Sequence, residues 1–413
     1  MPYAEEAFST LGDTTILEGR SISVTDVHDA DLLAIRSTTK VDATLLDGSS
    51  VRFVGTATIG TDHLDKEYLE SHNIHWCFSP GCNANSVSEY ITTALLCLAN
   101  RHNFTLKGKT IGVIGIGNVG SKVVKKAEAL GMKVVQNDPP RQRAEIGAQG
   151  EEDGGQMLEI GGWMTPNSAR HNLAPLPPCT SETLSPFCNL DTLLAESDIV
   201  TLHVPMTKEG IDKTYHLADA AFFARMKPGS IFINAARGAI VQTSDLMAAI
   251  ESNHIAHAIL DTWEGEPEIS PDLLSLVDIG TPHIAGHSFE GKVAGTQMVY
   301  DAACRFLKIE PTWTPDALLP PPDVPEITVD ASTESDEALL WKVVKQIYDI
   351  EADDSRLRAQ TDDHAFLFDS LRKNYPIRRE FRFTTIKLKN ATDQLRDTFT
   401  KLGFCCSGCL SSD

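Results

Sequence analysis

Residues 110–120 read TIGVIGIGNVG, and how this stretch is read decides the fold. The apolar run Ile111, Val113, Ile114 and Ile116 breaks at glycines and resumes as Val119, Val123, Ala127 and Leu130 at helical spacing. That change of period predicts strand, tight turn and helix. The turn itself, Gly115, Gly117, Asn118, Val119 and Gly120, has the spacing of a dinucleotide fingerprint. Gly115 permits the sharp turn, Gly117 lets the backbone approach a pyrophosphate, and Gly120 lets helix and strand pack closely, with the helix N-terminus facing the phosphates. The following strand, KVVQND, ends at Asp138. An acid about 20 positions on is placed to hold the adenosine ribose hydroxyls. Its charge repels a 2′-phosphate, so NAD is expected rather than NADP.

Outward from this turn, apolar strand patterns recur as DIVTLHV, SIFINA, HAILD and VDIG, separated by helical patterns such as LDTLLAES, ADAAFFARM and SDLMAAIES. Six strands alternating with helices predict a doubly wound parallel sheet, because parallel strands need crossover connections. Residues 1–91 read as a second, smaller α/β unit, with strands in LLAIRST, VRFVGTATIG and IHWCF. Its loops around Arg36, Ser37 and Thr38, and from Thr56 to Thr61, are rich in hydroxyls and follow strands. In open α/β sheets that is the edge where ligands bind. Residues 92–287 form the nucleotide-binding unit, and the helical pattern at 288–309 returns to the first. Residues 141–186, rich in glycine, proline and serine, read as a mobile surface insertion. A proline-rich linker precedes residues 325–403, which suggest a small α+β unit of helix, helix, strand EFRFTTIKL and helix. The tail at 404–413, FCCSGCLSSD, reads as frayed; Cys406 and Cys409 have no second pair to complete a zinc set, and no metal is expected.

Composition limits the function classes. The 413 residues carry 36 Lys+Arg and 57 Asp+Glu, a net charge of −21, which disfavours nucleic acid and anionic membranes as partners. No apolar run approaches a membrane span and no leader is evident, so a soluble cytoplasmic protein is expected. Scattered cysteines suit a reducing compartment.

Three residues carry candidate chemistry. Arg237 follows SIFINAA, Glu266 lies in DTWEGEP after the strand ending at Asp261, and His283 lies in TPHIAG. Each follows a different strand of one sheet, so all three converge at one edge. Removing hydride from a secondary alcohol beside a carboxylate needs a base, a partner to orient that base, and a cation for the carboxylate. His283, Glu266 and Arg237 fit those roles in that order.

The motifs GIGNVG, HVPMT, NAARGAIV, DTWEGEP and TPHIAG resemble those of the D-2-hydroxyacid dehydrogenase family. A second set, including MPYAEEAF, SPGCNANSV, AGHSFEGK and SLRKNYPIRREF, is similar to the branch acting on a phosphorylated four-carbon sugar acid. The resemblance implies NAD-dependent oxidation of 4-phospho-D-erythronate in vitamin B6 biosynthesis, in a cleft between two Rossmann-like units of a homodimer joined through the C-terminal unit. By position it makes Arg237, Glu266 and His283 catalytic. Asp138, Asp261 and Gly286 match NAD positions, and Val204 stands where threonine is frequent beside the cofactor. Ser37 and Thr58 match substrate positions, with Arg36 adjacent, and His287 stands where a tyrosine is usual. Arg36 and a C-terminal basic residue, Arg378 or Arg379, are candidates for the phosphate. Members of the family also carry a short apolar strand ahead of the position of Met1. The alternatives are a phosphoglycerate-type or general D-2-hydroxyacid dehydrogenase, and an NAD-sensing corepressor-like interaction protein. The intact Arg237, Glu266 and His283 count against the last.

Overall fold

The computed structural model describes residues 1–149 and 186–406. Three parallel sheets organise the chain. The first contains β1 (Leu32–Ile35), β2 (Phe53–Thr56) and β3 (His75–Phe78) in the order β1-β2-β3. One face packs Val27, Leu33, Ile35, Val54 and Leu69. The other is covered by the helix Phe289–Leu307, which returns from far along the chain with Val299, Tyr300 and Ala303 against Phe53. The approach is close enough to require glycine: a Cβ on Gly55 would stand 2.4 Å from Val299 Cγ1.

The second sheet contains β4 (Thr110–Ile114), β5 (Lys133–Asn137), β6 (Ile199–Leu202), β7 (Ser230–Asn234), β8 (Ile255–Leu260) and β9 (Ile279–Gly280). Their order is β5-β4-β6-β7-β8-β9, so the six strand patterns read from the sequence lie in one parallel sheet. The central strands β6 and β7 are buried along their whole length. That is why they read as continuous apolar runs rather than alternating ones. The chain leaves β4 to one side for β5 and crosses to the other for β6, so the glycine turn after β4 lies at the switch point of the sheet.

The helix Ala84–His102 links the two units and is buried continuously from Ser86 to Ala99. Near its start, Ser86 Oγ donates to the Ala285 carbonyl at 2.8 Å, and Tyr90 Oη lies 2.8 Å from Thr281 Oγ1. Its last residue lies at the opposite edge of the sheet.

The third sheet contains β10 (Glu326–Asp330), β11 (Thr385–Lys389) and β12 (Cys405–Cys406), in that order. Helices Asp336–Ile347, Ile350–Leu357 and His364–Lys373 cross from β10 to β11, and Asp393–Leu402 from β11 to β12. Three features differ from the sequence reading. β10 alternates buried and exposed residues, but proline neighbours concealed it as linker. Two helices are expected between β10 and β11 and three are present; the third buries Phe368, with Leu371 partly buried one turn on. The tail is ordered at its start, because Phe404 is 3% exposed and stacks on Phe381 at 4.6 Å, carrying Cys405 and Cys406 onto β11. Residues 407–413 lie outside the described residues. The reading of 141–186 as an insertion is also bounded: the helix Pro139–Gln149 occupies its beginning, and 150–185 are outside the described residues. Among the described residues, no helix is long and apolar enough to cross a membrane.

Candidate active site

The glycine turn provides a platform with three distinct glycine environments. Gly115 has φ 90°, and a Cβ there would stand 2.8 Å from both His203 backbone and Val204 Cγ1, so the loop leaving β6 lies directly on it. A Cβ on Gly120 would stand 1.9 Å from the Gly115 carbonyl oxygen, which fixes helix against strand. Between them, a Cβ on Gly117 would meet nothing within 4 Å. An open backbone face ahead of the helix Gly120–Ala129, which begins after Val119, is the surface that a pyrophosphate requires, so NAD fits this turn. Asn118 faces the other unit, packing over Gly81.

Asp138 follows β5 and is 9% exposed. Its Oδ2 accepts the Ile116 N–H at 2.8 Å and its Oδ1 the Arg141 N–H at 3.1 Å, so it also ties the next helix to the glycine turn. Gly286 lies against the first unit: a Cβ there would stand 2.1 Å from Asn83 Nδ2.

His283, Glu266 and Arg237 come to the carboxyl edge of the sheet, after β9, β8 and β7. His283 has φ 53°, a left-handed conformation that costs of order 1 kcal/mol in a non-glycine residue. Its N–H donates to the Asp261 carbonyl at 2.7 Å and the Thr281 carbonyl at 3.0 Å, which hold it there. The Asp261 carboxylate clasps the same loop, accepting from Thr281 Oγ1 and the Ile284 N–H at 2.7 Å and from the Ala285 N–H at 2.9 Å. Burial pushes the Asp261 carboxyl up, against those donors and His283.

His283 Nδ1 lies 2.6 Å from Glu266 Oε1. Burial alone would raise the Glu266 carboxyl, but the charge and hydrogen bond of His283 outweigh it and hold the group below its ordinary value. The carboxylate therefore fixes the proton of a neutral imidazole on Nδ1 and leaves the lone pair on Nε2. Arg237 reaches across the cleft: its Nη1 donates to the Ala236 carbonyl at 2.7 Å and its Nε lies 3.3 Å from Asp62 Oδ2. Gly60 passes so close that a Cβ would stand 2.0 Å from Arg237 Nη2.

On the substrate side, Thr58 Oγ1 lies 2.8 Å from Thr56 Oγ1 and donates to the Gly60 carbonyl at 2.9 Å. Ser37 lines a cavity of about 530 Å³ with Thr38, Lys40, Arg20 and, from the C-terminal unit, Arg372. His287 is half-buried, its Nδ1 is shielded from solvent without a hydrogen-bond partner, and its ring meets Tyr375 edge-on at 5.6 Å. Burial, then the charges of Lys292, Arg36 and Arg372, push its pKa well below the ordinary value, so it is neutral.

Those charges identify two residues that sequence reasoning missed, Lys292 and Arg372. Among the described residues, Arg36, Lys292 and Arg372 make no direct ion pair with a carboxylate, although the charge of Arg372 is felt at Glu266. Burial, then Arg372, lowers Arg36, and burial, then Arg36 and Arg378, push the Lys292 ammonium down to about 8. Both missed residues lie within segments that carry the family resemblance, AGHSFEGK and SLRKNYPIRREF. Lys292 has no acid three or four residues away on its helix, whereas Arg372 has Asp369 one turn before it, which pairs with Arg20 instead. Arg379, by contrast, is not available to a ligand: it is 7% exposed, ion-paired with Glu290, and donates to the Pro320 carbonyl. Arg378 donates from Nη2 to Ser86 Oγ at 2.5 Å and the Ala285 carbonyl at 2.6 Å, leaving Nη1 without a partner.

Comparison with known proteins agrees with this geometry. Residues 97–160 and 170–285 match the D-isomer specific 2-hydroxyacid dehydrogenase, NAD binding domain, and residues 318–403 match a domain of unknown function, DUF3410. The fold resembles D-lactate dehydrogenase from Aquifex aeolicus complexed with NAD and lactic acid, at 24% identity and TM-score 0.54 over 75% of this chain and 92% of that one. It also resembles an NAD-dependent formate dehydrogenase from Staphylococcus aureus in complex with NAD, at 22% identity and TM-score 0.56 over 75% and 89%. Fold and site together define an NAD-dependent enzyme of the D-2-hydroxyacid dehydrogenase class. Erythronate-4-phosphate dehydrogenases of Klebsiella pneumoniae and Cronobacter sakazakii are each 40% identical over 98% of this chain and 96% of their own length. The chain belongs to the erythronate-4-phosphate dehydrogenase family.

Proposed function

We propose that this chain, as a cytoplasmic homodimer, oxidises 4-phospho-D-erythronate at C2 to 2-oxo-3-hydroxy-4-phosphobutanoate in pyridoxal 5′-phosphate biosynthesis. The observation that carries this reading over other 2-hydroxy acids is the unneutralised cluster of Arg36, Lys292 and Arg372 at the cleft. A phosphate dianion supplies the missing negative charge. Arg237 binds the C1 carboxylate in bidentate fashion, with Thr58 and Ser37 as hydroxyl contacts on the substrate side. His287, neutral and with a free ring nitrogen, offers one further hydrogen bond. The C2 hydroxyl proton passes to His283 Nε2, and Glu266 stabilises the imidazolium that results. NAD, held at the glycine turn with Asp138 on the ribose side and Val204, Asp261 and Gly286 lining its nicotinamide end, supplies the hydride acceptor.

The test measures NADH formation by the purified protein with 4-phospho-D-erythronate, 3-phosphoglycerate and unphosphorylated erythronate. The phosphorylated four-carbon acid is expected to have the highest kcat/KM. Arg372→Ala is expected to raise its KM by roughly tenfold or more, the loss of one charge-assisted hydrogen bond, without changing turnover of the unphosphorylated acid. Equal kcat/KM for erythronate and its 4-phosphate sinks the assignment.

A further inference from the structure

The helix Ala84–His102 ends away from the cleft, and there three side chains from three elements meet. His102 closes the helix, His257 stands on β8, and Asp278 immediately precedes β9. His102 Nε2 lies 2.8 Å and His257 Nδ1 3.0 Å from the same atom, Asp278 Oδ1. All three ligand atoms lie within 4.8 Å of one another. The two imidazoles face each other with centroids 4.0 Å apart. Asp278 is held rigidly: its Oδ2 accepts the Ala258 N–H at 3.1 Å, and its own N–H donates to the Ala258 carbonyl at 2.9 Å. The group remains open on one side, since the histidine side chains are 33% and 23% exposed.

We propose that His102, His257 and Asp278 form a binding site for a zinc-class divalent transition-metal ion, with water completing the coordination. Two imidazole nitrogens and one carboxylate oxygen are the donors such ions prefer, with bonds of about 2.0–2.2 Å. Donor atoms around a tetrahedral ion of that size stand about 3.3 Å apart. The measured pairs therefore open by a few tenths of an ångström, within the reach of small side-chain rotations. The backbone bond to Asp278 Oδ2 orients the carboxylate in advance, as outer contacts do in established sites. Arg101 does not oppose the cation strongly, because its Nη2 is paired with Glu351 at 3.3 Å while Nη1 donates to the Asp278 carbonyl at 2.6 Å.

The site lies at the amino edge of β8 and β9, whereas Glu266 and His283 lie at the carboxyl edge. The ion is therefore structural. It clasps the outer end of the linking helix to the sheet, while Ser86 and Tyr90 fasten the inner end to the loop around His283.

The test is calorimetric titration of the metal-stripped full-length chain with Zn²⁺, and absorption spectroscopy with Co²⁺. The cysteine-rich tail is the competing ligand set, and thiolate ligation of Co²⁺ gives near-ultraviolet charge-transfer bands that nitrogen and oxygen ligation does not. One equivalent is expected to bind without those bands and to raise the melting temperature. His102→Gln and His257→Gln should each weaken it by at least about tenfold, with NAD affinity retained as proof of folding. Cys406→Ser with Cys409→Ser should leave it unchanged. Absence of stoichiometric binding, binding that survives both histidine substitutions, or binding lost with the tail cysteines overturns the proposal.

Discussion

Lys292 shows how one charge in the cleft couples two properties with opposite pH dependence. Burial, then Arg36 and Arg378, push its ammonium from 10.5 to about 8. Between about 8 and 10.5 the folded chain has released a proton that the unfolded chain still holds, so this residue's contribution to stability rises with pH over that window. Anion binding changes in the other direction, because only the ammonium attracts phosphate. KM for the phosphorylated acid is expected to climb as pH passes about 8, and Lys292→Met should abolish that limb while giving a higher KM at neutral pH. A wild-type KM that stays flat through this range removes Lys292 from the phosphate contact. The residue was not legible beforehand, unlike Arg237, Glu266 and His283. Those three follow successive strands of one sheet, so serial order alone brings them to one edge. Lys292 and Arg372 reach the cleft on helices whose orientation depends on how three units dock, and hydrophobic periodicity carries no record of docking.

At the level of elements, the turn after β4 separates folding from cofactor binding. A methyl group at Gly120 would overlap the Gly115 carbonyl at 1.9 Å, whereas at Gly117 it would enter open space. Gly120→Ala is therefore expected to lower the melting temperature markedly. Gly117→Ala should leave stability within about 0.5 kcal/mol while weakening NAD by roughly tenfold or more, because the methyl stands where the pyrophosphate approaches. Thermal melts and NAD titrations of both variants check this; equal loss of stability in the two refutes the distinction. This turn was fully legible because its glycine spacing and the changes of period on either side are local. β10 and β12 were not: β10 follows directly on a proline run, and β12 is two residues that gain their place from Phe404 stacked on Phe381.

At the level of the whole molecule, the C-terminal unit has two faces. One meets the cleft through Arg372, Tyr375 and Arg378, and is joined to the first unit by ion pairs from Arg20 to Asp369 and from Lys373 to Glu18. The same unit also exposes Phe366 at 71% and Ile377 at 57%. If the proposed homodimer forms through these residues, Phe366→Glu should shift sedimentation toward monomer; an unchanged sedimentation coefficient shows that they make no such contact. The cationic cluster has a further consequence for how the protein comes into being. Arg36 precedes the nucleotide-binding unit in the chain and Arg372 follows it, and β12, which completes the sheet of that arginine's unit, comes later still. The nucleotide-binding unit can be finished while the chain is still being made. Full discrimination for the phosphorylated acid waits for the last unit to dock, so a fragment ended before Arg372 keeps the glycine turn and the carboxylate contact of Arg237 but lacks one cation of the phosphate cluster.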